Sequence, residues 1–226
     1  MGNISEKIGH HLDFWTGAIQ VGDFRIPSSV YISWGVIIVL VLLSIWFTRR
    51  MEVVPTKKRQ VVIESFIGML YNMLYNILGE HGKRYIPYLL TVLLYLGVAN
   101  MLGLFGMAPP TKNLNVTLGL ALMSIILVQY ASIHQKGLGG WLKGFTQPVA
   151  IVTPLNVLEL AIKPLSLCMR LFGNILGAFI IMELLKMVSP AVIPLAASMY
   201  FDIFDAFLQA YVFVFLTSLY IQEAIE

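Results

Sequence analysis

The feature that most constrains this chain is a series of long segments without charged side chains. Residues 30–47, 86–108 and 116–133 contain no Asp, Glu, Lys or Arg. A membrane-spanning helix needs about 20 mostly apolar residues, so each segment is long enough to cross a bilayer. Charged residues make up 12% of the chain, against about 25% in an ordinary soluble domain. The sequence therefore predicts an all-α membrane protein with about five transmembrane helices.

We predict a single membrane domain over residues 1–226. An N-terminal segment at 1–29 precedes a first span at 30–48, and the second and third spans lie within 86–133. A long tilted helical hairpin follows at 147–226, with a break at 189–194 between its arms. The Gly-rich residues 137–144 are expected to form a loop.

Residues 60–80 have a different pattern from the spans. Apolar side chains such as Ile63, Phe66 and Leu70 recur at helical spacing, while Asn72 and Asn76 lie on the other face. This pattern predicts an amphipathic helix that lies at the membrane interface or packs on a neighbouring helix.

Basic residues fix the expected orientation. The first span is followed at once by Arg49, Arg50, Lys57, Lys58 and Arg59. By the positive-inside rule this flank is cytoplasmic, which leaves the N-terminus outside and, after five spans, the C-terminus in the cytoplasm. The net charge of +3 is spread in small clusters, which disfavours nucleic-acid binding. Cys168 is the only cysteine, and the four histidines are not arranged as metal ligands on a span.

Arg170 is the most unusual residue, because it is a charge inside an apolar helix. Such a charge near the bilayer centre costs about 2.5 to more than 10 kcal/mol, depending on the reference state. One interpretation is that Arg170 pairs with Asp202, Asp205 or Glu159 of its own chain and only fixes helix packing. Another is that it serves a functional site.

Small and polar residues accompany Arg170 on both arms of the predicted hairpin. Gly173, Asn174 and Gly177 share the helix face of Arg170, and the glycines would allow a close approach by another backbone. On the second arm Asp202, Asp205 and Gln209 stand at i, i+3 and i+7 and predict a polar stripe. One interpretation is that the two polar faces line a water-containing seam between the helices. The other is that their side chains only form interhelical hydrogen bonds.

Several motifs together identify a family by resemblance. The segment 165–174, LSLCMRLFGN, closely resembles the most recognisable motif of subunit a of the rotary F-type ATP synthases. The likeness continues in NMLG at 100–103, in PPT at 109–111 with LNVT at 114–117, and in YIQE at 220–223. It also covers Pro55, Glu64, Glu159 and Lys163-Pro164. Their order along the chain makes a chance match improbable.

The resemblance implies the stationary, ion-conducting subunit (the stator) of an ion-driven rotary motor in a bacterial inner (plasma) membrane. A rotor ring of c subunits, each with one ion-binding carboxylate, would turn past Arg170, which acts as an electrostatic divider between two half-channels for H⁺ or Na⁺. Peripheral-stalk b subunits, other ATP synthase subunits and the lipid bilayer are the expected partners. No cofactor and no catalytic residue are expected, since nucleotide chemistry would belong to other subunits.

The family pattern also suggests roles for the polar residues. Asn174 and Gln209 match polar positions near the arginine and would orient it and hydrate the seam. Glu159, at i and i+4 with Lys163, would line the inner half-channel or form a plain helix ion pair. Glu183 would either serve the outer path or pair with Lys186.

Three departures from the family pattern affect the outer path. Lys112-Asn113 stands in a loop that often carries an acid, and Phe179 occupies a position where some members have glutamate. Asp202 replaces a histidine of some members. The outer path is therefore expected to use Asp202, with Asp205 or Glu183.

Two other classes of function fit the sequence less well. A stand-alone secondary transporter or channel would use Arg170 to bind an anionic substrate, but such proteins often have repeated halves, which this sequence lacks. An intramembrane enzyme would need an activated nucleophile, and Cys168 has no histidine in its helix.

Overall fold

The computed structural model describes residues 19–21, 24–26, 28–49, 51–52, 58–105, 109–144, 153–188 and 197–225. Within these ranges it gives the backbone alone for residues 19–21, 24–26, 104–105, 142–144, 186, 188 and 202. Five helical segments are long and apolar enough to cross a membrane, which confirms the predicted all-α membrane class. One small addition was not predicted: strands β1 (Ile19–Val21) and β2 (Phe24–Ile26) pair antiparallel just before the first span.

Six helices build the described part of the chain. They are α1 (Ser28–Thr48), α2 (Lys58–Gly82), α3 (Ile86–Met101), α4 (Leu114–Gly144), α5 (Thr153–Val188) and α6 (Ala206–Ile225). Short 3₁₀ turns occur at Lys83–Tyr85, Leu102–Phe105 and Pro110–Lys112, and a π-helical segment, Met199–Asp205, leads into α6. The predicted break at 189–194 lies outside the described residues.

Helix α1 is exposed over most of its surface. It is apolar on every side, and only Ser28 and Val36 are buried. A helix that is hydrophobic all round belongs in a membrane or a large core. Its attachment to the bundle includes a 2.6 Å hydrogen bond between the Ser33 and Tyr95 hydroxyls, which joins α1 to α3.

Helix α6 lies at the centre of the bundle and packs against α2, α3 and α4. Its buried side chains recur every three or four residues: Ala206, Gln209, Ala210, Phe213, Val214, Thr217, Ser218 and Ile221. Helix α5 packs mainly on α4 and touches α6 only locally. The two predicted hairpin arms therefore both pack on α4 and make only a few direct backbone contacts with each other.

Helix α4 corrects one prediction. The Gly-rich segment 137–144 is helical, not a loop, and a bend at Gly137 separates it from the preceding turns. Gly137 has φ +71°, a conformation that costs glycine little because it lacks a Cβ. After the bend, Trp141 Nε1 donates a 2.8 Å hydrogen bond back to Gln129 Oε1.

The predicted second span changes helix type near its end. Helix α3 stops at Met101, and Leu102–Phe105 forms a 3₁₀ turn, whereas the uncharged run continues to residue 108. Apolar composition alone does not mark where helical hydrogen bonding stops. The predicted amphipathic helix is present as α2, which buries Leu74 and Leu78 and bends at Gly79 with φ +65°.

The bundle has two ends that matter for the site. The Pro110 end contains the Pro110–Lys112 turn, the last turns of α5 and the Met199–Asp205 segment. The Glu223 end contains the start of α5, the end of α6 and the second half of α4.

Candidate functional site

Arg170 lies on an outward-facing side of α5. The opposite side of this helix is buried and includes Leu167, Cys168 and Leu171, with Cys168 Sγ lying 3.5 Å from the Thr117 hydroxyl of α4. Arg170 itself is exposed. Packing of α5 on α4 therefore presents the guanidinium away from the core of its own chain.

The described side chains do not support pairing of Arg170 within its own chain. Among them, no ion pair or hydrogen bond reaches the guanidinium. Glu159 instead pairs with Lys163, at 3.2 Å, and half-buried Asp205 makes no described contact with Arg170. The side chain of Asp202 lies outside the description. An exposed, unpaired guanidinium inside a membrane requires a partner that this part of the chain does not supply.

The surface around Arg170 is open. Gly173 and Asn174 are exposed and Gly177 is partly exposed. A Cβ added to either glycine would meet no atom within 4 Å, so no described element of this chain uses the close approach that the glycines permit. The space next to them is available to another protein.

Asn174 connects this surface to α6. Its Nδ2 donates a 2.7 Å hydrogen bond to Gln209 Oε1. Gln209 is 1% exposed, and its Nε2 has no hydrogen-bond partner among the described atoms. The structure thus brings together two of the residues that the sequence placed near Arg170, and a buried amide donor remains there unsatisfied.

The predicted polar stripe of Asp202, Asp205 and Gln209 assumed an α-helix, but residues 199–205 are π-helical. A π-helix has more residues per turn, so the 100° step that put both carboxylates on the Gln209 face does not hold there. π-helical segments in proteins are frequent at functional sites. Asp205 is nevertheless half-buried on the segment that leads directly to Gln209.

A polar cleft opens at the Glu223 end. Lys163 Nζ contacts Glu223 Oε2 at 2.9 Å and Glu159 Oε1 at 3.2 Å, so it joins α6 to α5. The cleft has a volume of about 300 Å³. Its lining residues are Gln129, Ser132, Lys136, Gly140, Trp141, Asn156, Glu159, Leu160, Lys163 and Glu223. Pro164 inside α5 cannot donate to the Leu160 carbonyl, which frees a backbone acceptor on a lining residue.

A second open cleft, of about 690 Å³, runs along α2. It is lined by Ser65, Gly68, Met69, Asn72, Met73 and Asn76. This surface lies on the polar face of the amphipathic helix. Neither cleft includes Arg170 among its lining residues.

The Pro110 end holds a buried cation. Lys112 Nζ lies 3.2 Å from the centre of the Phe179 ring and has no hydrogen-bond partner among the described atoms. Burial lowers the pKa of the Lys112 amine to about 8, and the nearby negative charge of Glu183 acts in the opposite direction. Next to Lys112, the Thr111 hydroxyl donates a 2.8 Å hydrogen bond to Asn100 Oδ1 in the core.

Sequence reasoning missed two of these arrangements. Glu223 was noted only as part of the YIQE motif, and its contact with Lys163 across 60 positions has no local signal. Lys112 and Phe179 were each noted as departures from the family pattern. Both residues are expected at the outer side of the membrane, and this was the one sequence signal that Lys112 and Phe179 could be in contact.

Comparison with known proteins agrees with the resemblance. Residues 30–222 match the family described as ATP synthase A chain. A relative from Moorella thermoacetica, an ATP synthase subunit a, is 36% identical over 92% of this chain and 94% of its own length. A relative from Propionigenium modestum, a sodium ion specific ATP synthase subunit a, is 33% identical over 92% of this chain and 77% of its own length.

Proposed function

Because this chain belongs to the ATP synthase subunit a family, we propose that it is the stator ion channel of a rotary ATP synthase. In this role it supplies two half-channels for H⁺ or Na⁺ to and from carboxylates on a rotor ring of c subunits. Ion flow through the half-channels turns the ring and drives ATP synthesis in other subunits. The observation that carries the proposal is the exposed guanidinium of Arg170 beside Gly173 and Asn174, for which no described side chain supplies an ion-pair partner.

The chemistry of Arg170 suits a divider between the half-channels. A carboxylate that crosses lipid must be neutralised by a bound proton or Na⁺, since an isolated charge there is costly. Beside a fixed guanidinium the ionised carboxylate is favoured, so the ion is released. Arginine stays charged even when poorly solvated, whereas a lysine could lose its proton and its charge.

The Glu223 end fits the inner half-channel. Its open cleft is lined by Glu159, Glu223 and Lys163 and begins at the helix that carries Arg170. Basic residues gather at this end, because Arg84 contacts His134 and Lys136 lines the cleft. An excess of basic residues marks the cytoplasmic side. This orientation leaves the N-terminus outside the cell and the C-terminus in the cytoplasm. The complex would then lie in the plasma membrane.

The Pro110 end then belongs to the outer half-channel. Glu183 and half-buried Asp205 lie there, and Asp202 is on the same π-helical segment. Buried donors without described partners, Asn100 Nδ2 and Gln209 Nε2, occur along the same region. Polar groups of this kind are ordinarily satisfied by water, which an ion path must contain.

The partners follow from the same assignment. The open surface at Arg170 would face the ring of c subunits, and b subunits of the peripheral stalk would hold the chain against rotation. A stand-alone transporter that binds an anion at Arg170 would need a substrate cavity around it. Arg170 instead lies on an exposed face outside both clefts described above.

The decisive experiment replaces Arg170 in the assembled complex. Arg170→Ala should abolish ion-driven ATP synthesis in proteoliposomes, while the soluble motor continues to hydrolyse ATP. Arg84→Ala is the matched control, since Arg84 is an exposed arginine at the Glu223 end whose guanidinium hydrogen-bonds to His134. Coupled synthesis that survives in Arg170→Ala would overturn the proposal.

A further inference from the structure

Lys112 is a cation placed inside the end of the bundle that should admit cations. The Pro110–Lys112 turn packs against α1, α3, α4 and α5, and the Lys112 ammonium is directed onto the face of Phe179 rather than into water. An ammonium over an aromatic face is attracted by the negative face of the ring. This contact holds the charge in one place, although the ammonium donates no hydrogen bond to a described residue.

One carboxylate lies close enough to interact with this charge. Glu183 follows Phe179 by one helical turn on the same face of α5, and its charge acts on Lys112. Arg170 precedes Phe179 by nine positions, about half a turn around the helix at 100° per residue. Phe179 and Glu183, which face Lys112, therefore lie on a different face of α5 from Arg170.

The other elements around the turn contribute little charge. Helix α1 has Tyr31 as its one titratable side chain, and the nearest on α3 is Tyr95. Asn113 precedes α4 and Asn115 lies in its first turn, and the first turns of α4 carry no acid or base. On α5, Lys186 lies one turn beyond Glu183, and its side chain is outside the description. Glu183 is thus the one acid among the described side chains of these packed elements that can balance Lys112.

We propose that the Lys112 ammonium, held on the Phe179 ring, is a fixed positive charge in the outer ion path that opposes cation entry past Glu183. This inference rests on the proposed function. A fixed positive charge in a narrow, poorly hydrated path lowers the local concentration of other cations, and it competes with the transported ion for the negative charge of Glu183. Loss of the proton removes both effects.

The direction of the pH effect follows from the charge. Because the Lys112 amine has a pKa of about 8, the opposing charge is present below that pH and absent above it. Ion entry should therefore become easier as the external pH rises through this range. A lysine with its ordinary pKa of about 10.4 would stay charged throughout.

The test compares two substitutions in the complete ATP synthase in proteoliposomes. Lys112→Met removes the charge but keeps a long apolar side chain against Phe179, and Lys112→Arg keeps both the charge and the ring contact at every pH. Synthesis is driven by a fixed membrane potential with equal pH on both sides. Each rate is divided by that of the unsubstituted complex at the same pH, which cancels the titration of all other groups.

We expect the Lys112→Met ratio to be about threefold or more at about pH 7 and to approach one at about pH 9.5. The Lys112→Arg ratio should be near one at the lower pH and well below one at the higher. Lys58→Met, an exposed lysine at the start of α2, should give a ratio of one throughout.

Ratios that do not change with pH in either variant would overturn the inference and reduce Lys112 to a packing residue. That outcome would leave the proposed function intact if Arg170→Ala still abolished synthesis. Retained synthesis in Arg170→Ala would reject the proposed function itself, whatever the Lys112 variants do. Rates are normalised to the amount of assembled chain in each variant. If Lys112→Met assembles poorly, the Lys112→Arg ratios still test the inference.

Discussion

The Asn174 amide donates a hydrogen bond to the side-chain carbonyl of Gln209, and this 2.7 Å contact joins α5 to α6 one turn from Arg170. Asn174 is exposed while Gln209 is buried. The bond therefore couples a surface that faces outward to the core of the bundle. Its position explains how a helix that packs mainly on α4 keeps a fixed relation to α6 where the arginine lies.

Substitution of Gln209 should weaken this relation. Gln209→Leu should lower the stability of the chain by about 1 kcal/mol and reduce ion-driven synthesis several-fold, because Asn174 loses its acceptor. In a double-mutant cycle with Asn174→Leu, we expect a coupling energy of about 0.6 to 1.7 kcal/mol. Thermal dissociation of the purified complex measures the stability changes. Strictly additive effects would show that the two side chains do not depend on each other.

The two glycines beside Arg170 should tolerate larger side chains in the chain itself but not in the working complex. A Cβ at Gly173 meets no atom of this chain within 4 Å, so Gly173→Val should not destabilise subunit folding. If the rotor ring packs there, synthesis should fall at least about tenfold, since close helix approach depends on small residues. Gly119→Val on the exposed side of α4 is the matched control. Normal rates in Gly173→Val would place the ring elsewhere.

The carboxylates at the cleft should differ in importance. Lys163 binds Glu159 within α5 but reaches Glu223 across to α6. Both acids are more than half exposed, so each pair should contribute less than about 1 kcal/mol to stability. We expect Glu223→Gln to reduce ion-driven synthesis more than Glu159→Gln does, because it alone releases α5 from α6. The reverse order would assign the conducting role to Glu159.

The acids near the start of α6 provide a further comparison. If Asp202 takes the place of the histidine found in some members of the family, Asp202→Asn should slow synthesis or shift its pH dependence more than Asp205→Asn. Rates measured across external pH, with ATP hydrolysis as the control, distinguish the two. Small and equal effects would indicate that both residues serve only in helix packing.

The bend in α4 gives a prediction about stability alone. Gly137 has φ 71° and ψ 165°, a region essentially restricted to glycine, where a residue with a Cβ is strained by about 1 to 3 kcal/mol. Gly137→Ala should therefore destabilise the chain by about 1 kcal/mol or more. Gly139→Ala, two residues later in the same helix with room for a Cβ, should be neutral or stabilising because alanine favours helix. A stable Gly137→Ala complex would mean that the bend is not required.

The sequence alone was enough to predict the spans, the amphipathic helix and the shared helix face of Arg170, Gly173 and Asn174. These features depend on local information, namely the length of apolar runs and the helical repeat, and no distant contact changes them. The family likeness was also local, because it rests on short ordered motifs. The same reasoning failed where glycines act, since residues 137–144 looked like a loop and are helical.

Which distant residues meet depends on the tertiary structure. It packs both α5 and α6 on α4, brings Lys163 to Glu223, and places the Lys112 ammonium on the Phe179 ring. It also converted residues 199–205 to a π-helix, which changes the faces on which Asp202 and Asp205 lie. The physical reason is that burial and electrostatic pairing depend on how all the helices fill space together, and helical spacing within one segment carries no information about that.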